Sequence, residues 1–511
     1  MGTRNLLNSA VATCLFIVTA GCVHIPPSAV KVQQNDVRFL QQGTTTRDEV
    51  LHQLGPPNIL DGKSASVYEW WTAPGIGLVF VPGGGGFSTG SNHSRLLVEF
   101  DEAGKTRHFA FAEYRYPGLN PKGAPGSYSV DGSARELPRP AAPLLKPSRS
   151  LGRSSYNQSE ALTISRDGRY VAVAPATGGI EVWDLGTGTN RTFSSGLDTH
   201  GLVFARTVAA SIVSISRDGR ILAAGFDDVA VLWDMASGER LHAIKVLGKP
   251  TFLAPLELAP DGRTLATGGH DGTLKLWDVA SGKEISSFQV GGGTVQSLAF
   301  APQGDLLAAG TSRGDVTVVD LADGKQARIL HGTDALDFSG GHSPPVGEAL
   351  FGGRKVAFSP SGKMLAANDC VAVELWRVSE IREQIGPLAA AGRSVGADKQ
   401  QEPATALLLP YGNWPGCRRR ERTSLAFSPD DEVLIASANL YSVWDLRSRR
   451  LLAAWDPAPD AAQAADLTLG PGAALLAWSD SQAKGIQIVD LAPIIREAME
   501  GQRASSQGTA R

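Results

Sequence analysis

Seven times between Ala161 and Leu491 the chain repeats one local pattern: a tight turn, a small apolar run, a second turn, then an alternating run that ends near Trp-Asp. The first turns read Arg166-Asp167-Gly168, Arg217-Asp218-Gly219, Pro260-Asp261-Gly262, Pro302-Gln303-Gly304, Pro360-Ser361-Gly362, Pro429-Asp430-Asp431 and Pro471-Gly472-Ala473. About fifteen residues after each comes Trp183-Asp184, Trp233-Asp234, Trp277-Asp278, Val319-Asp320, Trp376-Arg377, Trp444-Asp445 or Val489-Asp490, and a fixed layout recurring at a period of roughly forty is the mark of an array of like supersecondary units. Within the third unit Leu256-Glu257-Leu258 alternates, Asp261-Gly262 turns, Thr264-Leu265-Ala266-Thr267 continues as a small-residue strand, and Thr273-Leu274-Lys275-Leu276-Trp277 alternates again. Asp-Gly suits such hairpins because glycine takes positive φ without a Cβ clash. One small sheet cannot bury both of its faces. Seven stacked radially can, and closing the ring removes the long unpaired edge that would otherwise template aggregation. The run Ala492-Pro493-Ile494-Ile495-Arg496-Glu497 reads as helix, so it offers no outer strand for the last unit. The stretch 144–151 is expected to supply that strand and lock the ring.

These residues resemble the WD-repeat family of seven-bladed propellers over 144–492, most closely in the third repeat. The fold expected is therefore mainly β, a seven-bladed β-propeller preceded by a small α+β domain. Repeats four and seven lack the tryptophan, and repeat five has Arg377 where the family has aspartate. The family's buried hydrogen-bond set uses a Gly-His before the first strand and an aspartate in the second hairpin turn. Asp271 matches the aspartate, but the Gly-His is missing, so apolar packing between blades must carry more of the stability.

The front of the chain carries an address. Residues 1–22 hold one basic residue (Arg4), an apolar run over 10–20, and then Val18-Thr19-Ala20-Gly21-Cys22. The run is too short for a permanent membrane span, and small residues precede a cysteine. This resembles a bacterial lipoprotein signal, with Cys22 the lipidated first residue of the mature chain, although Thr19 stands where that family usually has leucine. The alternative is an ordinary cleaved secretory peptide with a chance cysteine. Stable anchoring needs more than one acyl chain, and lipoproteins carry two or three on that cysteine. Val23, rather than the aspartate that retains such proteins at the inner membrane, implies the outer membrane; the chain is expected to face the periplasm, with exposure at the outer surface as the alternative. With Cys14 removed and Cys22 acylated, Cys370 and Cys417 remain. Both fall in loops expected on one face of neighbouring blades, and an oxidising compartment permits a bridge worth about 4 kcal/mol. Two unpaired thiols fit the sequence equally.

Residues 30–116 read as a second unit. A short helix is expected over 33–42, with Val37 and Leu40 on one face. Thr44-Thr45-Thr46-Arg47-Asp48-Glu49 is a helix start, because a threonine oxygen caps free amides and acids follow in the first turn. Gly55-Pro56-Pro57 stops that helix. Strands at 67–71, 95–100 and 106–112 then make a three-stranded antiparallel sheet on the two helices. The order of Gly43-Thr44-Thr45, Leu54-Gly55-Pro56, Tyr68-Glu69-Trp70 and Val98-Glu99-Phe100-Asp101 resembles the BamE/SmpA/OmlA lipoprotein family. That family is lipid-anchored and assists the assembly of outer-membrane β-barrels. The glycine-rich insert 72–94 departs from it and reads as a hairpin tip or a membrane- or partner-touching segment. Its Gly86-Phe87-Ser88-Thr89-Gly90 has the spacing of a nucleophile elbow, but a strand follows where a helix is required. The stretch 117–143, rich in proline and glycine, reads as a semi-rigid spacer that leaves the propeller free to reorient. Residues 493–511 read as a short helix and a disordered tail.

No enzymatic chemistry stands out. The nine histidines form no His-x-x-x-His pair, no cysteines stand at zinc spacing, and no phosphate-cradling Gly-x-x-x-x-Gly-Lys occurs. His331, Asp334, Asp337 and His342 share one stretch, which reads as an ordinary polar loop. Neither metal nor cofactor is expected. A net charge of −3 without a recurring basic stripe argues against nucleic acid. The connections 195–210, 332–354 and 411–423 are longer than the others and should open on one rim, where a protein partner is expected. Thr199, His200, Asp337, His342, Trp414, Arg418, Arg419 and Arg420 are the candidate contact residues there. A further insert, 379–405, belongs to the opposite rim. The reading is an outer-membrane lipoprotein serving as an interaction scaffold, its partners other envelope proteins and the barrel-assembly machine. The alternatives are a purely structural envelope protein and a propeller hydrolase or quinone-type enzyme with its site in the central channel.

Overall fold

The computed structural model describes residues 37–57, 60–61, 65–72, 80–81, 85–86, 92–101, 103–115, 124–130, 133–136, 148–152, 159–175, 179–196, 212–226, 228–246, 255–290, 293–312, 315–322, 326–331, 355–368, 372–385, 405–408, 424–437, 441–455, 462–470, 473–480, 485–497 and 499–500. The first helix described, α1 (Arg47–Leu54), begins at a complete capping box: Glu49 N donates to Thr46 Oγ1 at 3.3 Å, and Thr46 N donates to Glu49 Oε2 at 2.8 Å. It stops at Gly55, whose φ of 77° favours glycine and whose N–H reaches Leu51 O at 2.9 Å. Of the helix expected over 33–42, the described part is a turn in which Leu40 N donates to Val37 O. Val37 and Leu40 join Val50, Tyr68, Leu96, Val98, Phe100, Phe109 and Phe111 in one buried cluster.

The sheet under this cluster has six strands rather than three. In chain order the strands of this unit are β1 (Leu60–Asp61), β2 (Ala65–Thr72), β3 (Phe80–Val81), β4 (Gly85–Gly86), β5 (Asn92–Phe100), β6 (Thr106–Arg115), β7 (Ala124–Val130) and β8 (Ser133–Glu136), and the sheet runs β1-β2-β5-β6-β7-β8. The expected meander is its centre, with Val67 opposite Leu97 and Leu97 opposite Ala110. β3 and β4 pair as a separate hairpin inside the insert. β7 and β8 come from the stretch that reads as a spacer, and they correct both the strand count and the spacer. Composition judges whether a segment can build a core. A strand can instead be held by main-chain hydrogen bonds, and the sequence Asp-Gly between the paired Val130 and Ser133 is a hairpin signal that a core-based reading overlooks.

Among the described residues, the rest of the chain makes seven four-stranded antiparallel sheets, or blades, which start with strands at 159, 212, 256, 295, 355, 425 and 462. In each of the first six the chain runs from the inner strand to the outer one. Each inner strand lies beside the next, and the seventh lies beside the first, an arrangement consistent with a β-propeller. The seventh blade takes its outer strand from the start of the ring. β9 (Arg149–Leu151) pairs with the strand Gly485–Asp490, setting Ile486 opposite Leu151 and Ile488 opposite Arg149. Ser150 Oγ donates to Gln487 Oε1 at 2.7 Å, and Arg149 Nη1 reaches Leu185 O of blade one at 2.5 Å. The seam therefore ties first blade to last.

Tryptophans fill the spaces between blades. Trp233, Trp376 and Trp444 are wholly buried. Trp233 packs edge-on against Phe193 and Phe226, with centroids 6.2 and 6.3 Å away, so blade two grips the outer strand of blade one. In repeats four and seven Val319 and Val489 take the equivalent place and are also buried. The segment Val378–Ile385 forms helix α2, which buries Val378, Ile381 and Ile385 against blades four and five. Its Arg382 Nη2 pairs with Asp305 Oδ2 at 2.6 Å. The sequence 492–497 is helical, as its pattern suggests.

Candidate functional site

Because strands alternate in direction, each blade sends its first and third connections to one rim, and its second connection and the link to the next blade to the other. The first rim is built of short turns that satisfy their own polar groups, except in blade five, whose third connection 378–404 holds α2. In blades one, two and six a serine before the turn donates to the aspartate two residues on: Ser165 to Asp167 at 2.6 Å, Ser216 to Asp218 at 2.6 Å, and Ser428 to Asp430 at 2.5 Å. The same serine oxygen accepts the amide of the residue that starts the next strand, Tyr170, Ile221 or Val433. In blade five Ser359 and Ser361 donate instead to Asp431 of blade six.

The aspartate of Trp-Asp organises the third connection of its blade. Asp234 Oδ1 accepts Ser237 N at 2.7 Å, Asp278 Oδ1 accepts Ser281 N at 2.8 Å, and Asp184 Oδ1 accepts Gly186 N at 2.8 Å. The Ser281 hydroxyl and then its amide hold the Asp278 carboxyl below the usual carboxylate range, and the Ser237 amide and hydroxyl do the same for Asp234. At Asp184 burial pushes upward but is outweighed by Arg169 and the Gly186 and Thr187 amides. This local role accounts for the recurrence of an aspartate directly after the tryptophan. In blade three Trp277 Nε1 donates to Thr267 Oγ1 at 2.8 Å. Asp271 accepts Thr273 N in the neighbouring turn and His270 is exposed.

Near the inner margin of the first rim stands Arg166, partly buried. Burial lowers its affinity for the proton, the neighbouring Arg217 lowers it further, and Glu257 and Asp431 oppose both. Four blades thus bring charges of both signs to one place, a balance that motif reading does not reveal.

The second rim carries the links between blades. The strands flanking 194–211, 332–354 and 409–424 are outer strands on one side and inner strands on the other, so all three enlarged links belong to this rim, beside the blade-three turn at 269–272. The links 246–255 and 290–294 are shorter. Thr199, His200, Asp337, His342, Trp414, Arg418, Arg419 and Arg420 lie outside the described residues, as do Cys22, Cys370 and Cys417 and the loop partners of His331. Among the described residues no helix is long and apolar enough to cross a membrane.

Comparison with known proteins bears on blade three. Residues 251–278 match the family model of the WD domain, G-beta repeat. The match spans the inner three strands of that blade, the one that holds the Trp277–Thr267 bond. No curated protein matches the chain. A WD40 repeat suggests a scaffold for protein–protein interaction, and the fold is mainly β.

Proposed function

We propose that this chain is a lipid-anchored outer-membrane lipoprotein whose seven-bladed propeller is a scaffold for other envelope proteins, working beside the machinery that assembles outer-membrane β-barrels. The observation that carries the scaffold reading is the asymmetry between rims. On one rim the short turns of six blades satisfy their serines and aspartates locally, with the connection 378–404 of blade five as the exception, while the other rim carries three enlarged links. A rigid ring with its variable connections on one rim can bind a partner without disturbing its core. The anchor is supported by Val18-Thr19-Ala20-Gly21-Cys22, and the assembly role by the likeness of the small unit to the BamE/SmpA/OmlA family.

The test is in-cell crosslinking of the full-length chain, followed by mass spectrometry of what co-purifies through detergent. Barrel-assembly components are expected in the crosslinked set, lost when the three enlarged links are shortened together. Enrichment of unrelated envelope proteins would overturn the assembly role. Unchanged partners after shortening would overturn the placement of the binding rim.

A further inference from the structure

The third connection of blades one, two and three closes through a glycine in the left-handed region: Gly188 (φ 73°), Gly238 (φ 78°) and Gly282 (φ 68°), each four residues after its aspartate. Blade six places Arg449 at the same position, with φ 54°. A residue with a Cβ is strained there, and glycine serves the sister turns without that strain. What the side chain touches accounts for the exception. Arg449 Nη1 pairs with Glu99 Oε2 of β5, in the small unit, and both side chains are largely buried, 20% and 4% exposed.

The rest of that contact is apolar. Leu96, Val98 and Phe100 of β5 face the helix-side core, so Leu97 and Glu99 face the other way. Leu97 is 1% exposed, and Ala110, opposite it on β6, is 2% exposed. β5 lies against Thr405–Leu408, the outer strand of blade five, where Leu407 is also buried. The back of the small sheet is thus covered at the margin of blades five and six, and an ion pair stands at its end.

We infer that Arg449 is a docking latch: it occupies a glycine position so that its guanidinium can hold Glu99, fixing the small unit on blades five and six. The latch belongs to the rim of short turns. It therefore holds the small unit while leaving the rim of enlarged links uncovered by this contact, which replaces the free reorientation expected from a spacer. The inference is independent of any anchor or partner.

The experiment is pulsed electron-electron spin resonance on the full chain, with spin labels on a keto amino acid placed at exposed Gln53 and Ile285 so that the native thiols stay. The parent protein is expected to give a single narrow distance. Arg449→Gly should fold as well as the sister turns do, with an unchanged or raised melting temperature for the ring, yet lose the narrow distance. Glu99→Gln should lose it too, the double variant should be no broader than either single one, and Arg449→Lys should retain it. A broad distribution in the parent would overturn the docking, and a narrow one retained in both single variants would overturn the latch.

Discussion

Replacing Trp277 by phenylalanine and Trp376 by phenylalanine should have unequal costs, although both tryptophans are buried at equivalent positions of blades three and five. Each change removes similar volume from a packed interface, a loss of about 1–2 kcal/mol judged against the roughly 3–5 kcal/mol of full truncation to alanine. Trp277 differs in donating to Thr267 Oγ1 at 2.8 Å, and Thr267 is itself 2% exposed. Trp277→Phe therefore also strands a buried hydroxyl, at a further cost of about 1–3 kcal/mol. Trp376 Nε1 is buried and has no hydrogen-bond partner among the described residues, so Trp376→Phe removes an unsatisfied donor and recovers part of what the lost volume costs. Urea unfolding followed by far-ultraviolet circular dichroism, which does not depend on the substituted indoles, gives both differences. Trp277→Phe should be the more damaging by at least about 1 kcal/mol, and Thr267→Val added to it should restore much of the difference, because two apolar partners leave nothing unpaired. Equal losses for the two tryptophans, or no recovery in the double variant, would refute the assignment of the Trp277–Thr267 bond as a stabilising feature of the blade.

The turn aspartates predict a pH dependence of definite sign. The Asp234 and Asp278 carboxyls are held below the usual range, so their turns contribute stability above the unfolded carboxylate pKa of about 4 and lose it as pH falls through the lower folded values. Asp234→Asn with Asp278→Asn keeps a turn acceptor but removes the titration, so the gap in urea midpoint from the parent should shrink as pH is lowered towards about 3, and a constant gap would contradict this. Gly485→Val should loosen the seam, because a Cβ there would meet Leu151 O at 2.8 Å and Gly152 O at 3.2 Å. A loss of about 1–3 kcal/mol is expected, with faster proteolysis near β9, and unaltered protease resistance would count against β9 as the lock.

What was legible in the sequence was local. Turn dipeptides, the Trp-Asp spacing and the alternation of Leu256-Glu257-Leu258 act within one hairpin, so the blades could be read one at a time. The closing strand was legible because one strand was missing from the count and Ser148, Arg149 and Ser150 precede the first repeat; Ser148 Oγ indeed reaches Ile488 O at 3.0 Å. β7 and β8 were not, since their pairing rests on the main chain, which composition does not report. The contact between Glu99 and Arg449 spans 350 positions, and no local pattern predicts it. It did leave one trace: Arg449 breaks the glycine column set by Gly188, Gly238 and Gly282. The candidate rim could be named from the lengths of its links, but the chemistry of its contacts depends on how those links are held.

The two rims answer different physical demands. A turn that bonds its own amides through Asp184, Asp234 or Asp278 has few donors left for a partner, and it keeps the register of its blade fixed. Such a rim suits permanent internal contacts, and it is where α2 and Arg449 engage neighbouring structure. Changing a turn here risks the blade, so Arg449 makes its docking contact by substituting one residue within the turn, whereas in blade five the longer connection carries α2 and its Arg382 to Asp305. The link between blades carries no such duty, because ring closure depends on inner-strand packing and on β9. Its length can change at a cost that grows only slowly with added residues. The division of labour follows: the short-turn rim holds the molecule together, and partner recognition is left to the links of the other rim.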